Sequence, residues 1–129
     1  MELSHVAMWV TDLERSLEFY EALGFERAWS FTADGVENVY VRGDSGELQL
    51  RHDPDRTTPI APTRADIDHV ALGVDTVEDV ETAVKRSRDA GGSVIADPHT
   101  VEPADAYAAF VEDPDGYTLE FVSPLEEAQ

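Results

Sequence analysis

Residues 4–10 read SHVAMWV, and residues 68–74 read DHVALGV. Each segment begins with a polar residue and a histidine, and apolar residues then alternate along it. This period of two is typical of a β-strand with one buried face. Because an internal repeat constrains the whole architecture, the pair predicts that the chain contains two copies of one structural module.

The residues after each of these strands predict a helix. The first helix is expected to begin after an N-cap at Thr11 or Asp12 and to end at Gly24. The second is expected to begin after an N-cap at Thr76 and to end at the glycine pair 91–92. Both helices carry apolar residues at helical spacing, so each can cover one face of a sheet.

Short strands broken by turn signals follow each helix and complete the two halves. The fold class is therefore predicted to be α+β, with two tandem βαβββ modules at about residues 1–53 and 67–124. A linker with three prolines joins them at about residues 54–66. The whole is expected to form a single domain over residues 1–129.

Composition excludes several classes of protein. The chain has no cysteine, so disulfides, thiolate nucleophiles and sulfur-ligated metals are ruled out. No apolar run approaches the roughly 18 residues needed to span a membrane. The N-terminus lacks the basic and then apolar layout of a signal peptide, so a cytoplasmic protein is expected.

The net charge of −19 arises from 28 acidic residues against nine lysines and arginines, of which Lys85 is the single lysine. Such a field repels nucleic acid and anionic membranes, so neither is an expected partner. Self-repulsion on this scale is relieved by concentrated salt. The charge therefore predicts a halophilic protein that works in a salt-rich cytoplasm.

Four strands place one polar side chain opposite their apolar face. His5 and His69 belong to the first strand of each half, and Gln49 and Glu120 to the last. Two imidazoles, an amide oxygen and a carboxylate suit Zn²⁺, Ni²⁺, Co²⁺, Mn²⁺ or Fe²⁺, which predicts one divalent metal site. The alternative is that the histidines are partly buried with backbone partners, while Gln49 and Glu120 are solvated.

Several motifs give the chain a family resemblance. They are HVA at residues 5–7 leading to LERSLEFY at 13–20 and LGF at 23–25, DHVA at 68–71, and FVEDPDGYTLE at 110–120. With these the chain resembles the vicinal oxygen chelate superfamily, which includes glyoxalase I, extradiol dioxygenases and bleomycin-resistance proteins. The last motif is most similar to bacterial-type glyoxalase I. The resemblance implies paired βαβββ modules in a curved mixed sheet around the metal, with the helices on its outer face.

The resemblance also implies residue roles. His5, Gln49, His69 and Glu120 fall on the four ligand positions, and Glu120 is implied as the base that moves a proton between adjacent carbons. Gln49 stands where glyoxalase I usually has a second glutamate, and an amide cannot take a proton at neutral pH.

Two further departures concern the thiol. Glutathione-using relatives place an arginine and an asparagine where this chain has Trp9 and Asp53, so a different thiol or none is expected. Arg51, predicted on the same strand face as Gln49, is a candidate replacement for the arginine. Its alternative role is a solvated partner for nearby acids.

The predicted function is that of a metal-dependent glyoxalase-like lyase or isomerase, with a 2-oxoaldehyde–thiol adduct as its small-molecule substrate. One alternative is an extradiol-dioxygenase-like Fe²⁺ enzyme, which would need acid–base groups. Alternation disfavours His52 for that role, His99 is expected in a solvated polar loop, and the remaining candidates are Tyr40 and Tyr107.

The other alternative is a bleomycin-resistance-like binding protein. Trp9 would then serve as a ligand platform in the substrate pocket or as core, and Trp29 is expected in the core. The resemblance further implies a homodimer whose sites are built across the interface. Each half carries two of the four candidate ligands, so the sequence is compatible both with a shared site and with one closed within a single chain.

Overall fold

The chain forms eight strands and two α-helices in the computed structural model, which describes residues 1–125. The first half contains β1 (His5–Trp9), α1 (Leu13–Ala22), β2 (Glu26–Ala33), β3 (Val36–Arg42) and β4 (Glu47–His52). The second contains β5 (Val70–Gly73), α2 (Val77–Asp89), β6 (Ser93–Val101), a 3₁₀ turn (Glu102–Ala104), β7 (Ala106–Glu112) and β8 (Thr118–Pro124). Backbone contacts divide the chain into two compact units, Met1–Ala61 and a second that begins at Pro62. The division falls within the segment predicted as the linker.

Each unit contains one four-stranded mixed sheet. The strand order is β1-β4-β3-β2 in the first and β5-β8-β7-β6 in the second, and each sheet is curved and open. In both units the first strand runs parallel to the last, and the other pairs are antiparallel. The α+β prediction of two tandem βαβββ modules is confirmed.

Side-chain and backbone caps fix the ends of both helices. Asp12 is the N-cap of α1 and accepts a hydrogen bond from the Arg15 amide at 3.1 Å, which decides between Thr11 and Asp12. Thr76 caps α2 in a reciprocal capping box with Asp79. Each cap contributes about 0.5–2 kcal/mol to helix stability. Beyond the helices, Gly24 and Gly91 adopt φ angles of 103° and 102°, which glycine adopts without strain.

Apolar side chains on one face of each sheet pack under the helix of the same unit. In the first unit the buried set includes Met8, Val10, Val41, Leu48 and Leu50 of the strands with Leu17 and Tyr20 of the helix. In the second it includes Val111, Leu119 and Phe121 with Val80 and Val84. This confirms the predicted alternation, because Gln49 and Glu120 interrupt apolar runs whose members face the helices.

Three local expectations differ from the structure. Strand β5 begins at Val70, so His69 lies immediately before the strand. His99 lies within β6 and pairs with Ala108, whereas a polar loop was predicted. The strand tolerates Pro98 because β6 is at the sheet edge and its register shifts between Ala96 and His99.

The third difference concerns Trp29. It was expected in the core, but its relative exposure is 50% because it lies on the edge strand β2, on the sheet face opposite the one that packs against α1. No helix in the described part of the chain is long and apolar enough to cross a membrane.

Candidate functional site

The face of the first sheet opposite α1 carries two rows of side chains that cross all four strands. Direct Cα pairing places the members of each row side by side on one face. One row consists of Trp29, Tyr40, Gln49 and Ala7, and the next of Phe31, Asn38, Arg51 and Trp9. His5 lies on the same face, two residues before Ala7 on β1. We call this surface the first polar face.

His5 meets this face through an aromatic contact. Its ring stands edge-on to Tyr40, with 5.4 Å between ring centroids and an interplanar angle of 85°. The Nδ1 atom lies 3.1 Å from the Ser4 hydroxyl. Because Nδ1 is engaged, Nε2 is the candidate metal-binding nitrogen of His5.

A buried amide network fixes Gln49. Arg51 Nε, which can only donate, lies 3.0 Å from Asn38 Oδ1, and Asn38 Nδ2 donates to the Val36 carbonyl at 3.1 Å. The acceptor side of Asn38 is therefore set, and Gln49 must present Nε2 to it, at 2.9 Å. This arrangement leaves Gln49 Oε1 as the atom available to bind a metal or another donor.

Arg51 has two defined partners on the first polar face. Besides its bond to Asn38, its guanidinium carbon lies 4.4 Å from the centroid of a Trp9 ring. This is cation–π geometry, which contributes about 0.5–1 kcal/mol at an exposed site. The predicted alternatives for Arg51 involved acidic partners or a ligand, and the structure gives it an amide and an indole.

His69 and Glu120 are in direct contact in the second unit. His69 Nε2 lies 3.2 Å from Glu120 Oε1, and His69 Nδ1 lies 2.7 Å from Asp68 Oδ2. The hydrogen bond between His69 and Asp68, with a smaller contribution from the charge of Arg64, lowers the pKa of Asp68 below its usual value. The imidazole is thus held between two carboxylates, one on each nitrogen.

The two units repeat the same local geometry around their histidines. Gln49 pairs with Ala7 and Tyr40, and Glu120 pairs with Ala71 and Phe110. The His69 ring stands edge-on to Phe110 at 5.7 Å and 81°, as His5 does to Tyr40. Each half therefore presents one histidine, one aromatic neighbour and one candidate oxygen ligand in equivalent positions.

A match to a family model covers residues 2–121, and that model describes the Glyoxalase/Bleomycin resistance protein/Dioxygenase superfamily. The chain belongs to this superfamily. It is 31% identical to a probable lactoylglutathione lyase of Synechocystis sp., with 95% of each chain covered. It is 32% identical to a lactoylglutathione lyase of Neisseria meningitidis serogroup A, covering 95% of this chain and 90% of the relative.

A solved structure supports the fold of this superfamily member. The glyoxylase/bleomycin resistance protein/dioxygenase domain from Frankia sp. EAN1pec matches with a TM-score of 0.83, covering 96% of this chain and 98% of that one. Sequence identity is 20%, so this likeness concerns the fold alone.

The donor atoms of the second unit fit a divalent metal of the kind the superfamily implies. With metal–ligand bonds of about 2.0–2.2 Å, two adjacent ligands of one ion lie about 3.0–3.4 Å apart. The 3.2 Å between His69 Nε2 and Glu120 Oε1 falls in this range. Asp68 accepts a hydrogen bond from the other ring nitrogen of His69. A carboxylate in this position is a usual outer partner of a metal-binding histidine. Within residues 1–125, however, no three His, Asp or Glu side chains lie close enough together to hold an ion.

Tyr40 is the one of the candidate acid–base groups His52, Tyr40 and Tyr107 that lies on the first polar face. His52 faces the other way, as alternation predicted, and its Nδ1 lies 2.7 Å from Glu37. Tyr107 donates to Glu81 of α2 at 3.0 Å, and this hydrogen bond raises the pKa of the Tyr107 phenol. Tyr107 therefore serves the helix–sheet contact on the opposite face from Glu120.

Two residues that organise the candidate ligands had no predicted role. Asn38 holds both Gln49 and Arg51, and Asp68 holds His69. Asp68 was recognisable as the residue before the second histidine, since an acid next to a ligand histidine is a common outer partner. Alternation in β3 places Asn38 on the face opposite Val39 and Val41. The contacts of Asn38 with β4, however, are defined only by the cross-strand register.

Proposed function

We propose that the chain is a divalent-metal-dependent lyase or isomerase of the glyoxalase type, acting on a 2-oxoaldehyde–thiol adduct. The observation that carries this proposal is the Asp68–His69–Glu120 arrangement, in which two potential metal ligands touch and a third group orients one of them. Identity of 31–32% to proteins named as lactoylglutathione lyases supports the same reaction class.

The metal would be held by His69 and Glu120 from the second unit together with His5 and Gln49 from the first. The donor set of two imidazole nitrogens, a carboxylate and an amide oxygen suits Ni²⁺, Zn²⁺, Co²⁺, Mn²⁺ or Fe²⁺. When bound, such an ion supplies Lewis acidity that polarises a substrate carbonyl and makes the adjacent C–H more acidic.

Glu120 is the proposed base. Its carboxylate is largely shielded from solvent, with 18% side-chain exposure, and His69 fixes one of its oxygens. A carboxylate in this position accepts the proton from one substrate carbon and returns it to the neighbouring carbon. Gln49 cannot share that work because an amide is not basic, so Glu120 acts as a single base.

The thiol part of the substrate is proposed to differ from glutathione. Position 9, where glutathione-using relatives have an arginine, holds a tryptophan here, and position 53 holds an aspartate. The change at position 9 removes a cationic partner for a carboxylate, and Asp53 adds a negative charge. The proposed setting is a salt-rich cytoplasm, with a homodimer as the assembly.

The decisive experiment uses protein purified without chelator, analysed for metal and then loaded separately with Ni²⁺, Zn²⁺, Mn²⁺ or Fe²⁺. Turnover of methylglyoxal adducts of glutathione and of smaller thiols supports the proposal, and Glu120→Gln should lower kcat by about 10²–10⁴-fold. His52→Gln is the matched control, since His52 lies on the opposite sheet face. Oxygen consumption with catechols, without adduct turnover, would instead identify dioxygenase chemistry.

A further inference from the structure

Arg51 lies on the first polar face without a carboxylate partner among residues 1–125. Among the other basic residues, Arg27, Arg42, Arg64 and Lys85 each have a carboxylate oxygen within 3.6 Å, whereas Arg56, Arg86 and Arg88 resemble Arg51 in having none among the described residues. Acidic residues number 28 in this chain, so acids available for pairing are abundant. An arginine that takes none of them is a candidate for an anion from outside the chain.

The surroundings of Arg51 hold its guanidinium in one orientation. Nε donates to Asn38, whose relative exposure is 1%, and the guanidinium carbon lies 4.4 Å from the centroid of a Trp9 ring. In the described part of the chain neither terminal nitrogen of Arg51 has a hydrogen-bond partner. Because the side chain is already ordered, a ligand that binds those nitrogens loses less free energy in immobilising them.

The two terminal nitrogens of a guanidinium match the two oxygens of a carboxylate, with parallel hydrogen bonds. The overall charge of −19 opposes binding of any anion at long range. At physiological ionic strength, however, exposed charges beyond about 8 Å are largely screened, so the contact with Arg51 dominates locally. A carboxylate is therefore the group that this arginine fits.

Exposed aromatic rings lie on the same face. Trp9, Trp29 and Phe31 are 37%, 50% and 39% exposed, although large aromatic side chains are usually buried. Trp29 stacks on Tyr40 at 4.2 Å and on Phe31 at 5.5 Å, which makes a continuous apolar platform. Such clustering of exposed apolar groups is typical of a binding surface.

The distances between Arg51, the aromatic rings and Gln49 set the size of the ligand. Phe31 and Arg51 belong to one row and are separated by the strand of Asn38, which corresponds to about 9.5 Å for two strand spacings. Arg51 is also two residues beyond Gln49 on β4, or about 7 Å along the strand. A carboxylate on Arg51 can thus belong to a molecule that reaches the aromatic platform while lying beside Gln49.

We propose that the first polar face binds an organic carboxylate with an aromatic group, with the carboxylate on Arg51 and the ring on Trp29 and Phe31. The assignment of this ligand as part of the substrate rests on the proposed function, because it places the carboxylate beside a candidate metal ligand. The binding itself requires no metal.

Titration calorimetry of the metal-free protein tests the site with 3-phenylpropionate and 4-phenylbutyrate as probes. Both should bind, whereas 3-phenylpropanol, which lacks the charge, and acetate, which lacks the ring, should bind at least about 10-fold more weakly. Arg51→Met should weaken 4-phenylbutyrate binding by about 10- to 100-fold, and Arg51→Lys by less, because it keeps the charge without the planar fork.

Arg42→Met is the matched control, since Arg42 is an arginine of the same sheet that already pairs with Glu47. It should leave binding unchanged. Trp29→Leu, at an exposed position, should weaken binding of the aromatic acids while the circular dichroism spectrum stays unchanged, which covers the case in which an Arg51 variant folds poorly. Equal affinities for acid and alcohol, or wild-type affinity in both Arg51→Met and Trp29→Leu, would overturn the proposal.

Activity of the metal-loaded protein separates this inference from the proposed function. Binding of aromatic acids without adduct turnover supports the carboxylate site while the lyase proposal fails. Adduct turnover with an unchanged KM in Arg51→Met, together with no binding of the probes, overturns the carboxylate site and leaves the lyase proposal standing.

Discussion

Gln49 donates from Nε2 to the buried Oδ1 of Asn38 at 2.9 Å, so the orientation of a candidate metal ligand is set from the neighbouring strand. Replacing Asn38 by leucine removes the acceptor and lets the Gln49 amide turn either way. Outer-partner changes of this kind typically weaken metal binding by 10- to 100-fold, and we expect about 10-fold for Asn38→Leu because Gln49 itself remains. Equilibrium dialysis with Ni²⁺ or Zn²⁺ measures the change.

Asn38→Asp is the conservative counterpart for that experiment. An aspartate still accepts from both Gln49 and Arg51 but loses the donation from Asn38 Nδ2 to the Val36 carbonyl, so metal affinity should fall less than in the leucine variant. Equal loss of affinity in the leucine and aspartate variants, with unchanged circular dichroism, would show that Asn38 does not act by orienting Gln49.

Asp68 provides a second test of orientation, on His69. Asp68→Asn keeps the shape of the side chain but replaces the carboxylate that accepts from His69 Nδ1, and we expect metal affinity to fall by about 10-fold. Asp66→Asn, two residues away and bonded to Thr63, is the matched control. If both variants bind metal equally well, the Asp68–His69 contact plays no part in binding.

The Asp68–His69 pair also predicts how the stability of the fold depends on pH. The hydrogen bond from His69 lowers the pKa of Asp68 below 3.8, so the folded state holds the ionised carboxylate more strongly than the unfolded state does. Its stabilising contribution is present above pH 3.8 and is lost as pH falls through the lowered value. Acid unfolding of Asp68→Asn should accordingly be less steep below about pH 4 than that of the unchanged protein.

The elements that the sequence predicted correctly depend on local patterns. Caps at Asp12 and Thr76 follow from side chains that bond the nearest backbone amides, and the repeat follows from matching apolar periods. The errors at Trp29 and His99 concern edge strands, whose exposure and register depend on which strands lie beside them. Pairing across a sheet is not encoded in the period of a single strand.

The candidate ligands also differ in whether local alternation or strand pairing determines their positions. Alternation was sufficient to put Gln49 and Glu120 opposite the buried faces, since each is flanked by residues that contact a helix. The position of Asn38 beside Gln49 and Arg51 required the β3–β4 register. The contact between His69 and Glu120 joins residues 51 positions apart and depends on the parallel pairing of β5 with β8.

The charge of −19 predicts that salt stabilises the fold. Molar NaCl screens repulsion among surface carboxylates, so the melting temperature should rise relative to low-salt buffer. A rise of about 5 °C corresponds to roughly 1 kcal/mol for a domain of this size. Sorbitol at equal osmolality is the control, because it is uncharged; the same rise with sorbitol, or none with NaCl, would contradict the screening explanation.

Mixing two inactive variants tests whether a homodimer shares its metal sites. His5→Ala damages the first half of the chain, and Glu120→Ala damages the second. If each site combines the first half of one chain with the second half of its partner, a mixed dimer has one intact site and one doubly damaged site. Half of randomly exchanged dimers are mixed, so about one quarter of the wild-type metal binding should return.

The matched control mixes His5→Ala with Gln49→Ala, which damage the same half. Every mixed dimer of that pair then carries one damaged ligand at each site, so no binding returns under the shared-site arrangement. Exchange of chains is confirmed by native mass spectrometry before metal binding is measured. A mixed sample of His5→Ala and Glu120→Ala that exchanges fully and still binds no metal would mean that each chain assembles its site from its own two halves.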